Sequence, residues 1–260
     1  MNKLDKIILI HPTKCAGTTI SKRLFQLKGV SEKKSNLYSG YSFNIFFQNN
    51  IQLFYVIIHS KNILAHIMQW LFHLICFYFK LRNLLLKHKY GLTSNQGSIQ
   101  HFTYKQWESI NKIKKDSICI STVSHPQHRI VSSFYFLGYD KHYNFLQFLQ
   151  KIHDGSLLSS IKFSGFRAII NQHLMPMSDY IIYDDGKNNI DFILRKESLN
   201  QCWQKFCKKY KLNNSPLQHI NKTKKNTDWE KLYLNYPQAS QLVYELYKKD
   251  FKTFGYKIIN

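Results

Sequence analysis

The segment from His11 to Thr19, HPTKCAGTT, places a lysine, a glycine and two threonines directly after a short apolar run. A turn of small residues between a strand and a helix presents several main-chain N–H groups at the start of the helix. Together with the helix dipole, these donors bind phosphate-like anions. Lys14 adds a positive charge beside the turn. We therefore predict an anion-binding loop, with an ordinary strand–helix turn as the alternative.

This loop differs from the phosphate loop of ATP- and GTP-binding proteins. That pattern requires a lysine directly after the last glycine, whereas Lys14 precedes Gly17 by three positions. Gly17 allows the main chain to come close to a ligand, and the hydroxyls of Thr18 and Thr19 can add hydrogen bonds. A kinase-like nucleotide enzyme is further disfavoured because no predicted strand is followed by an obvious magnesium-binding aspartate.

The elements that position the loop alternate between apolar β-branched runs and helical patterns. Tyr180–Tyr183 and Ile190–Leu194 are predicted as short strands separated by the turn-rich DDGKNN. The alternation predicts an α/β sheet. The other predicted elements are strands at Lys6–Ile10 and Ser117–Val123, and helices at Thr18–Lys28, Leu199–Tyr210 and Tyr233–Phe254.

Length, charge and cysteine content limit the class of protein. The 260 residues are enough for one domain with a sizeable core. A net charge of +22 indicates an anionic partner, unless it only reflects a biased composition. The aromatic residues follow helical core spacing and form no RNA-recognition motif, so we expect no nucleic-acid partner. The five cysteines form no Cys-x-x-Cys pair and no signal-peptide pattern precedes the first strand, so we expect no disulfide or zinc site and a cytoplasmic location.

The segment Asn62–Lys80 contains 18 residues without Lys, Arg, Asp or Glu, from Asn62 to Phe79. Its polar residues fall at helical spacing on one narrow stripe, and a basic stretch continues to Lys89. A spanning helix has little reason to align its polar groups in this way. Two interpretations remain open: a buried helix with one polar edge, or a helix that lies against an anionic membrane surface through residues 62–89.

Four segments of the chain, taken in order, carry a resemblance to a known family: IHPTKCAGTTI (10–20), TVSHPQHRIVSSFYFLGYD (122–140), IDFILRKESL (190–199) and VYELYKKDFKTFGY (243–256). They resemble the sulfotransferases that use 3′-phosphoadenosine 5′-phosphosulfate (PAPS). The closest likeness is to the carbohydrate sulfotransferases that include the heparan sulfate 2-O- and 6-O-enzymes. The likeness spans most of the chain except roughly residues 30–95, which we interpret as a variable apolar helical insertion in a single domain of residues 1–260.

The resemblance implies a P-loop-like, three-layer α/β fold with a central, mainly parallel sheet flanked by helices. It implies transfer of a sulfuryl group from PAPS to a hydroxyl of a carbohydrate or glycolipid, with PAP as the product and no metal. In such an enzyme Lys14 stabilises charge on the leaving phosphate, and His101, in QHFTYKQW, is the general base with Glu108 and His59 as reserves. The residues implied in donor binding are Lys14, Cys15, Ala16, Gly17, Thr18, Thr19, Ser124, Arg129 and Ser132.

One departure from the family pattern lies in the second segment. The family has Arg-Asp where this chain has Ser124-His125, and serine cannot supply the charged fork that grips the 3′-phosphate. His125, His128 and Arg129 are candidates to compensate for the missing arginine. The alternative function is therefore a catalytically degenerate protein that keeps the fold and binds an anionic glycan or lipid.

Overall fold

The computed structural model describes residues 3–30, 98–162, 164–182, 186–217 and 229–259. The predicted insertion at 30–95, with the segment 62–89 and His59, lies outside the described residues apart from Val30. In the described part, the three strands are β1 (Ile7–Ile10), β2 (Ile118–Val123) and β3 (Phe192–Arg195). The helices are α1 (Gly17–Leu27), α2 (Tyr104–Ser109), α3 (Pro126–Phe136), α4 (Phe145–His153), α5 (Ser156–Ser159), α6 (Ser164–Leu174), α7 (Ser178–Ile181), α8 (Leu199–Tyr210), α9 (Trp229–Asn235) and α10 (Gln238–Phe254).

The sheet is parallel, with the order β1-β2-β3. β1 pairs with β2 from Ile7 opposite Ile118, and β2 pairs with β3 from Ile120 opposite Phe192. Parallel strands need helical crossovers, and these cover the faces of the sheet and keep water from the strands. The α/β fold with a parallel sheet flanked by helices is confirmed.

Alternate residues of the strands explain why their sequences are continuously apolar. Ile7 and Leu194 point to one face, where they pack against α1 and against Trp203 of α8. Ile10 and Val123 point to the other face, where α7 and the end of α10 cover them. Because both faces are buried, each strand reads as an unbroken apolar run rather than as an alternating one. A further apolar cluster joins α3, α4 and α10 beside the sheet.

The predicted strand at Tyr180–Tyr183 is wrong over its first two residues. Tyr180 and Ile181 lie in α7, and both are buried. The carboxylate of Asp250 in α10 accepts hydrogen bonds from the main-chain N–H groups of Met177 and Ser178, at 2.8 Å each. These contacts satisfy the donors at the start of a helical turn, so tertiary structure overrides the β-propensity of YIIY.

The predicted C-terminal helix Tyr233–Phe254 is divided in two. α9 ends at Asn235, and α10 begins after Pro237. Proline fixes its φ angle and lacks an N–H group, so it favours the start of a helix over the interior of one. By contrast, the predicted bounds of α8 agree with the structure at both ends.

Candidate functional site

The carboxyl ends of the three strands meet at one edge of the sheet. β1 runs into the loop His11–Ala16, β2 runs into Ser124 and His125, and β3 runs into Lys196. In open parallel sheets, ligands bind at this edge because the strand-to-helix turns present their N–H groups there. The segments singled out in the sequence around the loop, after β2 and after β3 therefore lie side by side.

The loop has an unusual main-chain conformation. Lys14 and Ala16 both have φ angles of 63°, in the left-handed region, although neither is glycine. Each such residue costs about 1–3 kcal/mol and persists only where the surroundings enforce it. In the described part of the chain, the N–H groups of Cys15, Ala16 and Gly17 donate to no protein acceptor. Alternating left- and right-handed residues turn successive N–H groups toward one concave side, which is a binding surface for an anion.

The N–H group of Thr19 is not part of this surface. It donates to the carbonyl oxygen of Ala16 at 3.0 Å, within the first turn of α1. The thiol of Cys15 also points away from it, because Sγ donates to the thioether of Met177 at 3.3 Å and the side chain is fully buried. The contribution predicted for Cys15 is therefore restricted to its main chain, and that of Thr19 to its side chain.

Arg129 holds the loop from beneath. Its Nε donates to the carbonyl oxygen of Thr13 at 3.1 Å, and its Nη2 donates to the carbonyl oxygen of His173 at 3.4 Å. The Thr13 hydroxyl in turn donates to the carbonyl oxygen of Gln172 at 3.0 Å. The side chain of Arg129 is 1% exposed. In this structure the guanidinium stabilises the strained loop, and donor binding by Arg129 stays a prediction.

Gly17 is required by packing rather than by a ligand. A Cβ atom at this position would overlap the imidazole ring of His11. His11 is 5% exposed, and its ring fills the space beneath the first turn of α1. From the sequence, Gly17 was expected to let a ligand approach the main chain. In the structure, the group that lies close to Gly17 is the His11 ring of the same loop.

Lys14 places a charge in an environment without a partner carboxylate. Its Nζ lies 3.8 Å from the centroid of the Phe136 ring. None of the ion pairs among the described residues involves Lys14. Burial, followed by the charge of Lys196, lowers the pKa of Lys14 to about 7. Such an ammonium is suited to an anionic ligand that restores its charge.

His101 lies beside the loop with a defined tautomer. Its Nδ1 is 3.1 Å from the carbonyl oxygen of His11, which can only accept, so Nδ1 carries the hydrogen. The lone pair is therefore on Nε2, which lies 3.2 Å from Nε2 of Gln100. The pKa of His101 is lowered to about 4, mainly by burial and also by the charge of Lys14, while the hydrogen bond to His11 opposes this change. The two predicted catalytic residues therefore lie close enough to act on each other.

Gln172 links His101 to the loop. Its side-chain Nε2 donates to the carbonyl oxygens of His101 at 3.2 Å and Ser98 at 3.1 Å. Its Oε1 accepts from the N–H group of Ser98 at 2.8 Å. Because its own carbonyl oxygen accepts from the Thr13 hydroxyl, one residue fixes the histidine segment and the loop together. Nothing in the sequence pattern singles out this glutamine.

The segment after β2, which is predicted to bind the 3′-phosphate, forms hydrogen bonds with other residues of the protein. Ser124 is fully buried, and its hydroxyl donates to Oε1 of Glu197 at 3.1 Å. The same oxygen accepts from the N–H group of His125 at 2.6 Å, and the His125 ring is 2.8 Å from the carbonyl oxygen of Lys257. The hydroxyl of Ser124 is therefore already bound to a protein acceptor, and its contact with the donor stays a prediction. Ser132, on α3, is 5% exposed.

Lys196 was missed by the sequence analysis. It directly follows β3, and its Nζ donates to the carbonyl oxygen of Lys14 at 3.3 Å. A polar residue at the carboxyl end of a predicted parallel strand is a usable signal for a ligand contact, because these ends share one edge. The next residue, Glu197, stabilises the end of β3 by accepting hydrogen bonds from Ser124, His125 and Tyr256.

Two further observations apply to the described residues. They contain no cluster of three or more His, Cys, Asp or Glu side chains arranged to hold a metal ion. Their helices include none with the length and apolar character needed to cross a membrane.

Comparison with known proteins agrees with this geometry. Residues 1–257 match the sulfotransferase family, a match over nearly the entire chain. Neither a curated protein nor a solved structure matches the chain.

Proposed function

The chain belongs to the sulfotransferase family, and on that basis we propose that it transfers a sulfuryl group from PAPS to a hydroxyl of a carbohydrate or glycolipid. The family membership establishes sulfuryl transfer in general. The choice of PAPS and of a sugar hydroxyl rests on the likeness of the four segments to the carbohydrate enzymes and on the site described above.

The observation that carries the proposal is the loop. Three consecutive N–H groups, from Cys15 to Gly17, donate to no acceptor in the described part of the chain, and they lie beside a lysine that has no carboxylate partner there. Main-chain donors of this kind, next to a positive charge, fit the phosphate and sulfate oxygens of PAPS. When bound, PAPS supplies the sulfuryl group and a phosphate as the leaving group.

Lys14 and the loop stabilise charge on the leaving phosphate. In-line transfer of a sulfuryl group resembles phosphoryl transfer, in which positioning and charge stabilisation provide most of the catalysis. The loop is already held in its strained conformation by Arg129, so its donors need little reorganisation. The ammonium of Lys14 gains an anionic partner, which the described residues do not provide through any ion pair.

His101 is the proposed general base. It is neutral at neutral pH, and the carbonyl oxygen of His11 fixes the hydrogen on Nδ1, so Nε2 accepts the proton of the attacking hydroxyl. The amide group of Gln100, which lies 3.2 Å from Nε2, must move aside when a hydroxyl binds there. A pKa of about 4 would make a weak base, but the negative charge of bound PAPS beside Lys14 raises it toward the operating pH.

Two measurements test the proposal. Calorimetric titration with PAP should show binding to the wild-type protein that weakens in Lys14→Ala. With a desulfated glycan and labelled PAPS, transfer of the label should fall by a factor on the order of 100 or more in His101→Ala, while the affinity for PAP is retained. His153→Ala, at an exposed position at the end of α4, is the matched control for the loss of a histidine and should keep its activity. Absence of heat with high micromolar PAP would refute the proposed donor.

A second candidate function is favoured by the burial of Ser124 and His125, which stand where the family pattern has its residues for the 3′-phosphate. Ser124 and His125 are bound to Glu197 and to the C-terminal residues, so the side chains that differ from the family pattern do not face a ligand. A protein with this arrangement could keep the anion-binding loop but bind an anionic glycan or lipid without transferring sulfate. Binding of a sulfated glycan that PAP does not compete with, together with no label transfer, would favour this function.

A further inference from the structure

The ammonium group of Lys196 is a second positive charge beside the loop. Its ammonium donates to the carbonyl oxygen of Lys14 at 3.3 Å, and its side chain is partly buried. The ion pairs of the described residues do not include it, just as they do not include Lys14. Burial lowers the pKa of Lys196, and the charge of Lys196 in turn lowers the pKa of Lys14 and of His128. Lys196 therefore contacts the loop directly and acts electrostatically on His128 in the first turn of α3.

The other cations near this edge already have protein partners. Arg129 donates to main-chain oxygens beneath the loop and is 1% exposed. Arg195 donates through Nη2 to the carbonyl oxygen of Phe254 at 2.6 Å, and its guanidinium lies over the Tyr256 ring. Lys196 has one protein acceptor, a carbonyl oxygen, and its remaining hydrogens can bond a ligand.

The surface of α3 that Lys196 approaches is suited to a second anion. His128 and Ser132 are four residues apart and so lie on the same face of the helix. The ring of His128 stacks on that of Trp229, with centroids 5.5 Å apart and planes inclined by 16°. The stacking fixes the ring of His128, and the charge of Lys196 lowers the pKa of that ring, so Lys196 acts on this face of α3 as well as on the loop.

The carboxylate of Glu197 acts on Lys196 from a distance, but neither Lys14 nor Lys196 forms an ion pair among the described residues. Two partly buried ammonium groups close together repel each other until anions compensate them. One anion fits the loop and Lys14. We infer that Lys196 binds the second phosphate of the donor nucleotide, the 3′-phosphate, and so replaces the arginine that Ser124 does not provide. This inference rests on the proposed function, because it requires that the loop bind a nucleotide.

The experiment compares Lys196→Met with the wild-type protein for two ligands. PAP carries both phosphates, whereas 5′-AMP lacks the ribose 3′-phosphate. Affinities are measured by calorimetry for PAP and by competition against PAP for 5′-AMP. We expect Lys196→Met to weaken PAP binding by about 10- to 100-fold, the effect of one lost charge-assisted hydrogen bond, and to change 5′-AMP binding by less than about 2-fold. Lys196→Arg should retain most of the affinity for PAP.

Lys205→Met, at an exposed position on α8, is the matched control for the loss of one positive charge and should leave both affinities unchanged. Equal losses for PAP and 5′-AMP in Lys196→Met would overturn the inference, because they would show that Lys196 acts by holding the carbonyl group of Lys14. An unchanged affinity for PAP would overturn it as well. If the wild-type protein binds neither nucleotide, the proposed function fails rather than the assignment of Lys196 alone.

Discussion

Binding of a nucleotide anion should cause the protein to take up a proton at Lys14. The free protein holds this lysine with a pKa of about 7, because burial and the charge of Lys196 disfavour the ammonium form. At pH 8, only about a tenth of Lys14 is protonated in the free protein. An anion in the loop favours the charged form and raises its pKa toward the usual 10.4, so binding takes up about 0.9 proton.

The sign of the linkage follows from these protonation states. The complex binds more protons than the free protein above pH 7, so affinity for PAP decreases as pH rises through that value. The decrease is about tenfold for each pH unit until the pKa of the complex is reached. Below pH 7 the affinity contributed by Lys14 is constant, because the ammonium is then charged in both states. PAP itself is fully ionised at pH 8, since the second pKa of a phosphate monoester is about 6.

The assay is calorimetric titration with PAP at pH 8 in two buffers of different ionisation enthalpy, because the difference in observed heat gives the number of protons taken up. Lys14→Arg is the decisive variant: a guanidinium stays charged, so binding should persist while proton uptake falls to near zero. Lys205→Arg should behave as wild type. Uptake below about 0.2 proton in the wild type would refute the reasoning. Unchanged uptake in Lys14→Arg would assign the proton to another group.

Three further outcomes follow from the site. Gly17→Ala should lower the free energy of unfolding by about 1–3 kcal/mol in a urea titration, because the added Cβ overlaps the His11 ring. Combining it with His11→Ala should recover part of that loss, since the overlapping ring is removed. Additive losses in the double variant would contradict this packing. Arg129→Leu should cost about 2–5 kcal/mol and weaken PAP binding, since buried carbonyl groups lose their donor, whereas a variant that keeps both properties would show that the loop does not depend on the guanidinium. The rate of transfer at saturating PAPS should decrease toward low pH as His101 becomes protonated, with an apparent pKa above its value of about 4 in the free protein; an acid limb that persists in His101→Gln would assign the base elsewhere.

The strands could be predicted from the sequence because both faces of the sheet are buried. Each strand is then a short, continuously apolar run, as at Ile7–Ile10 and Ile118–Val123. The region after the second strand was predicted less well. Tyr180 and Ile181 have high β-propensity, but the carboxylate of Asp250, about 70 residues later, fixes a helical turn there.

The anion-binding loop was predicted from Lys14 and its neighbours because the property involved is local. A turn of small residues before a helix presents N–H groups whatever surrounds it, and the structure leaves those of Cys15 to Gly17 without a protein acceptor in the described part. The hydrogen bonds of Arg129 to the loop were not predicted, for the opposite reason. Its position beside the second motif indicates a ligand contact, but its depth beneath the loop directs it to main-chain oxygens.

The sequence by itself therefore determined the loop, the class of fold and the family, since each depends on residues that are adjacent in the chain. Tertiary structure alone decided which polar side chains face a ligand. Ser124 is paired with Glu197 over 73 positions, and Lys196 reaches Lys14 over 182 positions. Such pairs depend on parallel strands ending at one edge of the sheet, and a local pattern carries no information about which side chains that edge brings together.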